Sequence, residues 1–162
     1  MTTSFAAERI PRLRADARRV HDLAPRFAGH LTPPDARTQE RWDQGQVLSH
    51  LNELFPFWVD QVDQVVAAGG GVAFGRTKET PSRLERIEQG RGGDPDVLLR
   101  GMDAGVDQTV SLLERLTDDQ LALVGHHPSL GELTMAQAID EFLVDHLHQH
   151  ADQLADGLGG TA

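Results

Sequence analysis

The chain contains no cysteine and no tyrosine among its 162 residues. Without cysteine there is no disulfide scaffold, no thiolate zinc site, no iron–sulfur cluster and no Cys nucleophile. Any thiol chemistry must take its sulfur from a second molecule. Basic residues are also scarce: 15 Lys+Arg stand against 25 Asp+Glu, a formal net charge of −10. No Lys/Arg run is available to neutralise phosphates, so the chain does not read as a nucleic-acid binder. Long apolar runs are missing too, and Met1-Thr2-Thr3-Ser4-Phe5 leads straight into Glu8, Arg9 and Arg12 without a signal-peptide pattern. The expectation is a soluble cytoplasmic protein with no membrane partner. Aromatics are only 5% of residues although 39% are hydrophobic, so the core must be built from Leu, Val and Ala. The length corresponds to one domain, expected over residues 1–162.

What is present is helical periodicity. Four segments carry apolar residues at helical spacing, and none shows sustained alternation. The first lies around Ser4 to Leu23, with Ile10, Leu13, Ala17 and Val20 on one stripe and Pro11 and Pro25 obscuring its ends. The second opens with a capping box, Asp43 to Gln46, runs through Val47, Leu51, Leu54, Trp58 and Val62, and stops at Gly69-Gly70-Gly71. Pro56 lies inside it and is expected to kink it. The third starts with Asp94 as cap and Pro95 at the first helical position, followed by Leu99, Met102, Val106, Val110 and Leu113. The fourth opens with the box Thr134 to Gln137 and continues through Ile139, Leu143, Leu147 and Leu154 to Gly157. These segments predict an all-α four-helix bundle. The connection from about Ala67 to Asp94 far exceeds the roughly 2–8 residues typical of bundle loops. A crossover of that length can return along the bundle, which predicts up-down-down-up order with the second and fourth helices antiparallel.

Three of the 8 His stand out. On a wheel of about 100° per residue with His146 at zero, His150 falls at about 40° and Ile139, Leu143, Leu147 and Leu154 lie between about 20° and 100°. His148 falls at about 200°, on the solvated side. His146 and His150 therefore share the buried stripe. Buried imidazoles need polar partners. Two readings stand: core histidines satisfied by carboxylates or backbone, or a His-x-x-x-His pair reaching one cation. His50, at the edge of the second helix's stripe, is the candidate third ligand. It lies roughly 10 Å from the start of its helix, while His146 and His150 lie roughly 15 and 9 Å from the end of theirs. In an antiparallel pair those heights coincide. His21 and His30 read as surface residues, and His127 as part of a turn that could line a pocket. Glu53, one turn from His50, could accept that ring's second proton, although an exposed position is the expectation for a carboxylate. Gln153 shares a face with His150 and could orient a ligand.

The same residues carry a family resemblance. Trp42 followed by Val47-Leu48-Ser49-His50-Leu51, the loop Gly125-His126-His127-Pro128-Ser129-Leu130-Gly131-Glu132-Leu133-Thr134, and the closing His146-x-x-x-His150-x-x-Gln153-Leu154 resemble the DinB/YfiT-like family of metal-dependent enzymes. The resemblance extends from about the end of the first helix to Leu154. It implies a four-helix bundle, usually homodimeric, with the family's three metal-binding histidines at His50, His146 and His150. It also implies a divalent metal such as zinc or nickel. Characterised relatives include thiol-dependent S-transferases and isomerases using low-molecular-weight bacterial thiols. The implied function is thus a metal-dependent S-transferase acting on a small-molecule substrate. A metal-assisted hydrolase, a non-catalytic metal-binding stress protein and a metal-free interaction bundle are the alternatives. Asp43 replaces the Ser or Thr common in relatives at that cap, and Pro56 is a second departure. No residue identifies itself as a general acid or base.

Overall fold

The computed structural model describes residues 2–159, leaving Met1 and residues 160–162 of the expected domain outside the described residues. Four long helical stretches dominate: α1 (Ser4–Leu23), α2 (Gln44–Ala68), α4 (Pro95–Arg115) and a last stretch made of α6 (Met135–Ile139), a π turn (Asp140–Val144) and α7 (Asp145–Gly157). Shorter elements lie between them: α3 (Pro81–Gln89), α5 (Asp118–Leu121), and the strands β1 (Val124–His127) and β2 (Gly131–Thr134).

Each start follows from local chemistry. Asp43 accepts from the Gln46 backbone N–H while the Gln46 side chain accepts from the Asp43 N–H, so two otherwise unpaired amides are satisfied where α2 begins. The same reciprocal pair, Thr134 with Gln137, starts α6, and Asp94 with Pro95 starts α4. Gly69 ends α2 at φ 74°, a left-handed conformation open to glycine at little steric cost, and its N–H closes on the carbonyls of Val65 and Val66. α2 runs through Pro56 as one helix.

Helix directions follow from contacts between them. Along α1 and the last stretch residue numbers rise together: Arg9 pairs with Asp140, Arg12 with Asp145 and Arg19 with Asp152. Between α1 and α4 they oppose, with Arg14 on Asp107 and His21 on Asp103. Along α2 and α4 they rise together again, from Asn52 at the Leu98 carbonyl to Asp63 on Arg115. Between α2 and the last stretch they oppose, with His50 at His146 and Trp58 stacked on Phe142. The order is up-down-down-up. Leu13, Leu48, Leu51, Phe55, Met102, Leu113, Leu143 and Leu147 fill the centre, an aliphatic core with few aromatics.

The long connection is a structured return path along α2. Gly75 donates to the Gln61 side chain, Arg76 reaches Glu53, Ser49 donates to the Arg86 carbonyl, Gln46 reaches Glu88, and the Gly92 N–H reaches Asp43. α3, within this path, was not among the four expected segments; its exposed, charge-rich sequence buries only Ile87.

The loop after α5 is a second departure from the sequence reading. Residues expected to form only a turn make a two-stranded antiparallel hairpin, with Val124 opposite Thr134 and His127 opposite Gly131. Strands this short carry too few residues for alternation to register. The crossover pairs with β1 as well, through backbone bonds joining Val72 and Phe74 to His126.

Candidate metal centre

α2 and α7 bring His50, His146 and His150 together, with one ligand nitrogen from each lying within 4.8 Å of the others. His50 and His150 are buried, and His146 is half-buried. The ring centroids of His146 and His150 are 4.7 Å apart, as expected for side chains one turn apart on a helix face. His50 approaches them at 5.2 and 4.8 Å. The 3.6-residue wheel holds from Asp145 onward. Just before it, the Asp145 N–H reaches back five residues to the Asp140 carbonyl, and such π turns often accompany functional positions.

For two of the rings the hydrogen bonds decide which nitrogen is free. His50 Nδ1 lies 2.8 Å from Glu53 Oε1, and an ionised carboxylate can only accept, so Nδ1 carries the proton and Nε2 presents a lone pair. His150 repeats the arrangement with an amide: Nδ1 is 2.8 Å from Gln153 Oε1. Its Nε2 is buried with no hydrogen-bond partner among the described residues. His50 Nε2 faces His146 Nε2 at 3.1 Å. A buried imidazole nitrogen left unpaired beside two others is costly unless something binds it. Three neutral imidazoles, with two rings fixed from behind, are a donor set suited to a divalent cation and leave a coordination position open.

Electrostatics point the same way. Burial, reinforced by the neighbouring histidines, pushes His50 and His146 well below the ordinary imidazole range. Burial pushes His150 down to about 4, partly opposed by its bond to Gln153. All three are neutral at pH 7, the form a metal requires.

Glu53 corrects an expectation. It is 7% exposed, a buried carboxylate and not a surface one. Burial raises its pKa and Arg76 opposes that rise. Arg76 lies 2.6 Å from Glu53 oxygens and its guanidinium covers the Phe57 ring at 4.0 Å. Arg76 comes from the crossover and escaped the sequence reading, since nothing local to it points to Glu53. Trp42 lies against the cluster, edge-on to His50 at 5.4 Å and stacked on His150 at 6.2 Å.

The remaining histidines stand apart. His148 is exposed and bonds Asp16, and His21 is exposed against Asp103. His127 is 6% exposed and anchors the hairpin turn, its Nδ1 accepting from the Ser129 and Leu130 N–H groups. Its ring lies 4.9 Å from Phe142 and 5.9 Å from Trp58 in an aromatic cluster.

The sequence profile of the DinB superfamily matches residues 16–154. The chain belongs to the DinB superfamily. Among solved structures it is similar to YfiT from Bacillus subtilis, described as "a probable metal-dependent hydrolase with an unusual four-helix bundle topology". That likeness has a TM-score of 0.73 at 20% identity and covers 96% of this chain and 89% of YfiT. At this identity it speaks to the fold. No curated protein matches the sequence. Among the described residues, no helix of this DinB-superfamily chain is long and apolar enough to cross a membrane.

Proposed function

We propose that this protein is a metal-dependent enzyme that joins the sulfur of a small-molecule thiol to an electrophilic carbon of its substrate. The thiol S–H bond breaks with its proton lost to solvent and, in a substitution, the bond to the leaving group breaks as the C–S bond forms. In this reading His50, His146 and His150 hold a divalent cation, zinc or nickel. The observation that carries it is the convergence of three imidazole nitrogens, two of them on rings already committed at Nδ1 to Glu53 and Gln153. A divalent cation in such a site supplies Lewis acidity that makes a nucleophile available near neutral pH. The chain supplies positioning: Glu53 and Gln153 hold the tautomers, Arg76 holds Glu53, and Trp42 shields one side. Glu53 is the one carboxylate among the described residues within hydrogen-bond reach of the three rings. It is occupied by His50 and Arg76, so it is not a free general base. A thiol, with an ordinary pKa of about 8.5, needs less help to ionise than water does. The absence of cysteine requires that thiol to arrive as a cosubstrate.

Metal-assisted hydrolysis is the second reading, favoured by the likeness to YfiT. Metal content of the purified protein and of His50→Ala tests the shared premise. We expect about one divalent ion per wild-type chain and none in the variant; wild-type protein free of stoichiometric metal defeats both readings. Turnover of chlorodinitrobenzene with a panel of small thiols, set beside hydrolysis of activated esters without thiol, separates them.

A further inference from the structure

Four arginines are half-buried: Arg9, Arg19, Arg76 and Arg83. Three have a carboxylate, since Arg9 pairs with Asp140, Arg19 with Asp152 and Arg76 with Glu53. Arg83 has none within 4.0 Å among the described residues, in a chain with ten more acidic than basic side chains (25 − 15). Its one hydrogen bond among them goes from Nη1 to the Lys78 carbonyl. A guanidinium has five N–H donors in a planar fork, so most of this one is uncommitted. Burial lowers its pKa; Glu53, Glu40 and Glu79 act against that lowering, but none of them is within ion-pair distance. Glu53 is held by Arg76, Glu79 by Arg37, and Glu40 is exposed.

The position of this unpaired cation gives it meaning. Arg83 sits on α3, and the return path sets that helix beside the start of α2, where His50 lies. Its guanidinium is over the Trp42 ring, 6.0 Å from the centroid, and the same ring packs against His50 and His150. Among the described residues the charge of Arg83 acts on all three imidazoles, that of Arg76 on His50 and His146, and that of Lys78 on His146 and His150. A half-desolvated guanidinium set over the ring that packs on two neutral imidazoles is short of a negative charge, and a planar carboxylate matches its fork.

We propose that Arg83 is a substrate-binding residue, and that the molecule taken by this site carries a carboxylate held by its guanidinium, with Lys78 at the outer edge. This rests on the thiol-and-metal reading for the other end of the molecule. Calorimetric titration of zinc-loaded protein with 3-mercaptopropionate and with its methyl ester separates the two ideas. Ester binding tests the thiol reading, and the difference between acid and ester tests Arg83. We expect the acid to bind about tenfold or more tightly than the ester, as for a charge-assisted bond. Arg83→Gln should erase that difference while leaving ester affinity in place, and Arg83→Lys should keep part of it. Zinc content and far-ultraviolet circular dichroism of each variant establish that the fold is retained. Equal binding of acid and ester overturns the inference, as does a preference that survives Arg83→Gln, which would put the carboxylate elsewhere. Acid binding that depends on Arg83 without any ester binding upholds Arg83 and removes the thiol reading. If neither compound binds, both fall.

Discussion

Glu53 accepts a hydrogen bond from His50 Nδ1 at 2.8 Å, three residues further along the same helix. That bond turns the free nitrogen of His50 toward α7, and Arg76 holds the carboxylate in place from the crossover. The relationship makes Glu53 a positioning residue for the cluster.

Glu53→Gln keeps the shape and removes the charge. Partners behind a metal-binding histidine commonly contribute about 10–100-fold to metal affinity. Zinc affinity, measured by competition with a chelator, should fall within that range. Unchanged affinity would mean that Glu53 serves only to neutralise Arg76.

The metal-free protein should lose stability in mild acid. His150 has a pKa of about 4 when folded against about 6.5 in an unfolded chain. Between those values the unfolded chain binds the proton and the folded one does not. Stability is therefore full above about pH 6.5 and falls as pH drops toward about 4. This group alone accounts for up to about 3 kcal/mol, and burial of His50 and His146 acts in the same direction. Urea unfolding of chelator-treated protein between about pH 7 and pH 4.5 reads this directly. A flat profile would contradict the burial of these rings.

Gly105→Ala tests the α2–α4 contact. Alanine is the better helix former by about 1 kcal/mol, but a Cβ here would lie 2.6 Å from the Phe55 Cβ. Phe55 is fully buried and its Cβ cannot rotate away. Overpacking of about 1–3 kcal/mol should outweigh the gain in propensity. Thermal unfolding should show a lower Tm; a higher one would mean that the two helices separate without cost.

Asp43→Ala removes one half of the box that starts α2, together with the bond from the Gly92 N–H. The expected loss is about 1 kcal/mol in chemical unfolding. His50 lies two turns further along, so zinc affinity should change little. A large drop in affinity would show that the cap sets the height of His50.

Much of this was legible in the chain because it is local. The Asp43–Gln46 and Thr134–Gln137 boxes are three-residue spacings, and the His146–His150 pair is a single helical turn. The meeting of His50 with that pair followed from loop length and helical rise, two regular quantities. Glu53 was legible in spacing but not in burial: the i+3 position put it within reach of His50, and only the crossover laid over α2 encloses it. The hairpin and α3 were missed because four residues of strand, or nine of exposed charged helix, carry almost no periodic signal.

The absence of cysteine and the scarcity of basic residues are properties of composition, and no fold can alter them. Helix starts and shared faces are equally local, decided within one or two turns by backbone geometry. What only the tertiary structure decided is where the few cations went. Arg76 and Arg83 lie seven residues apart in the same crossover, yet one is neutralised by Glu53 and the other has no carboxylate partner among the described residues. That difference depends on how a return path of more than twenty residues settles along α2. Such contacts are set by packing between distant segments, for which neither spacing nor composition leaves a trace.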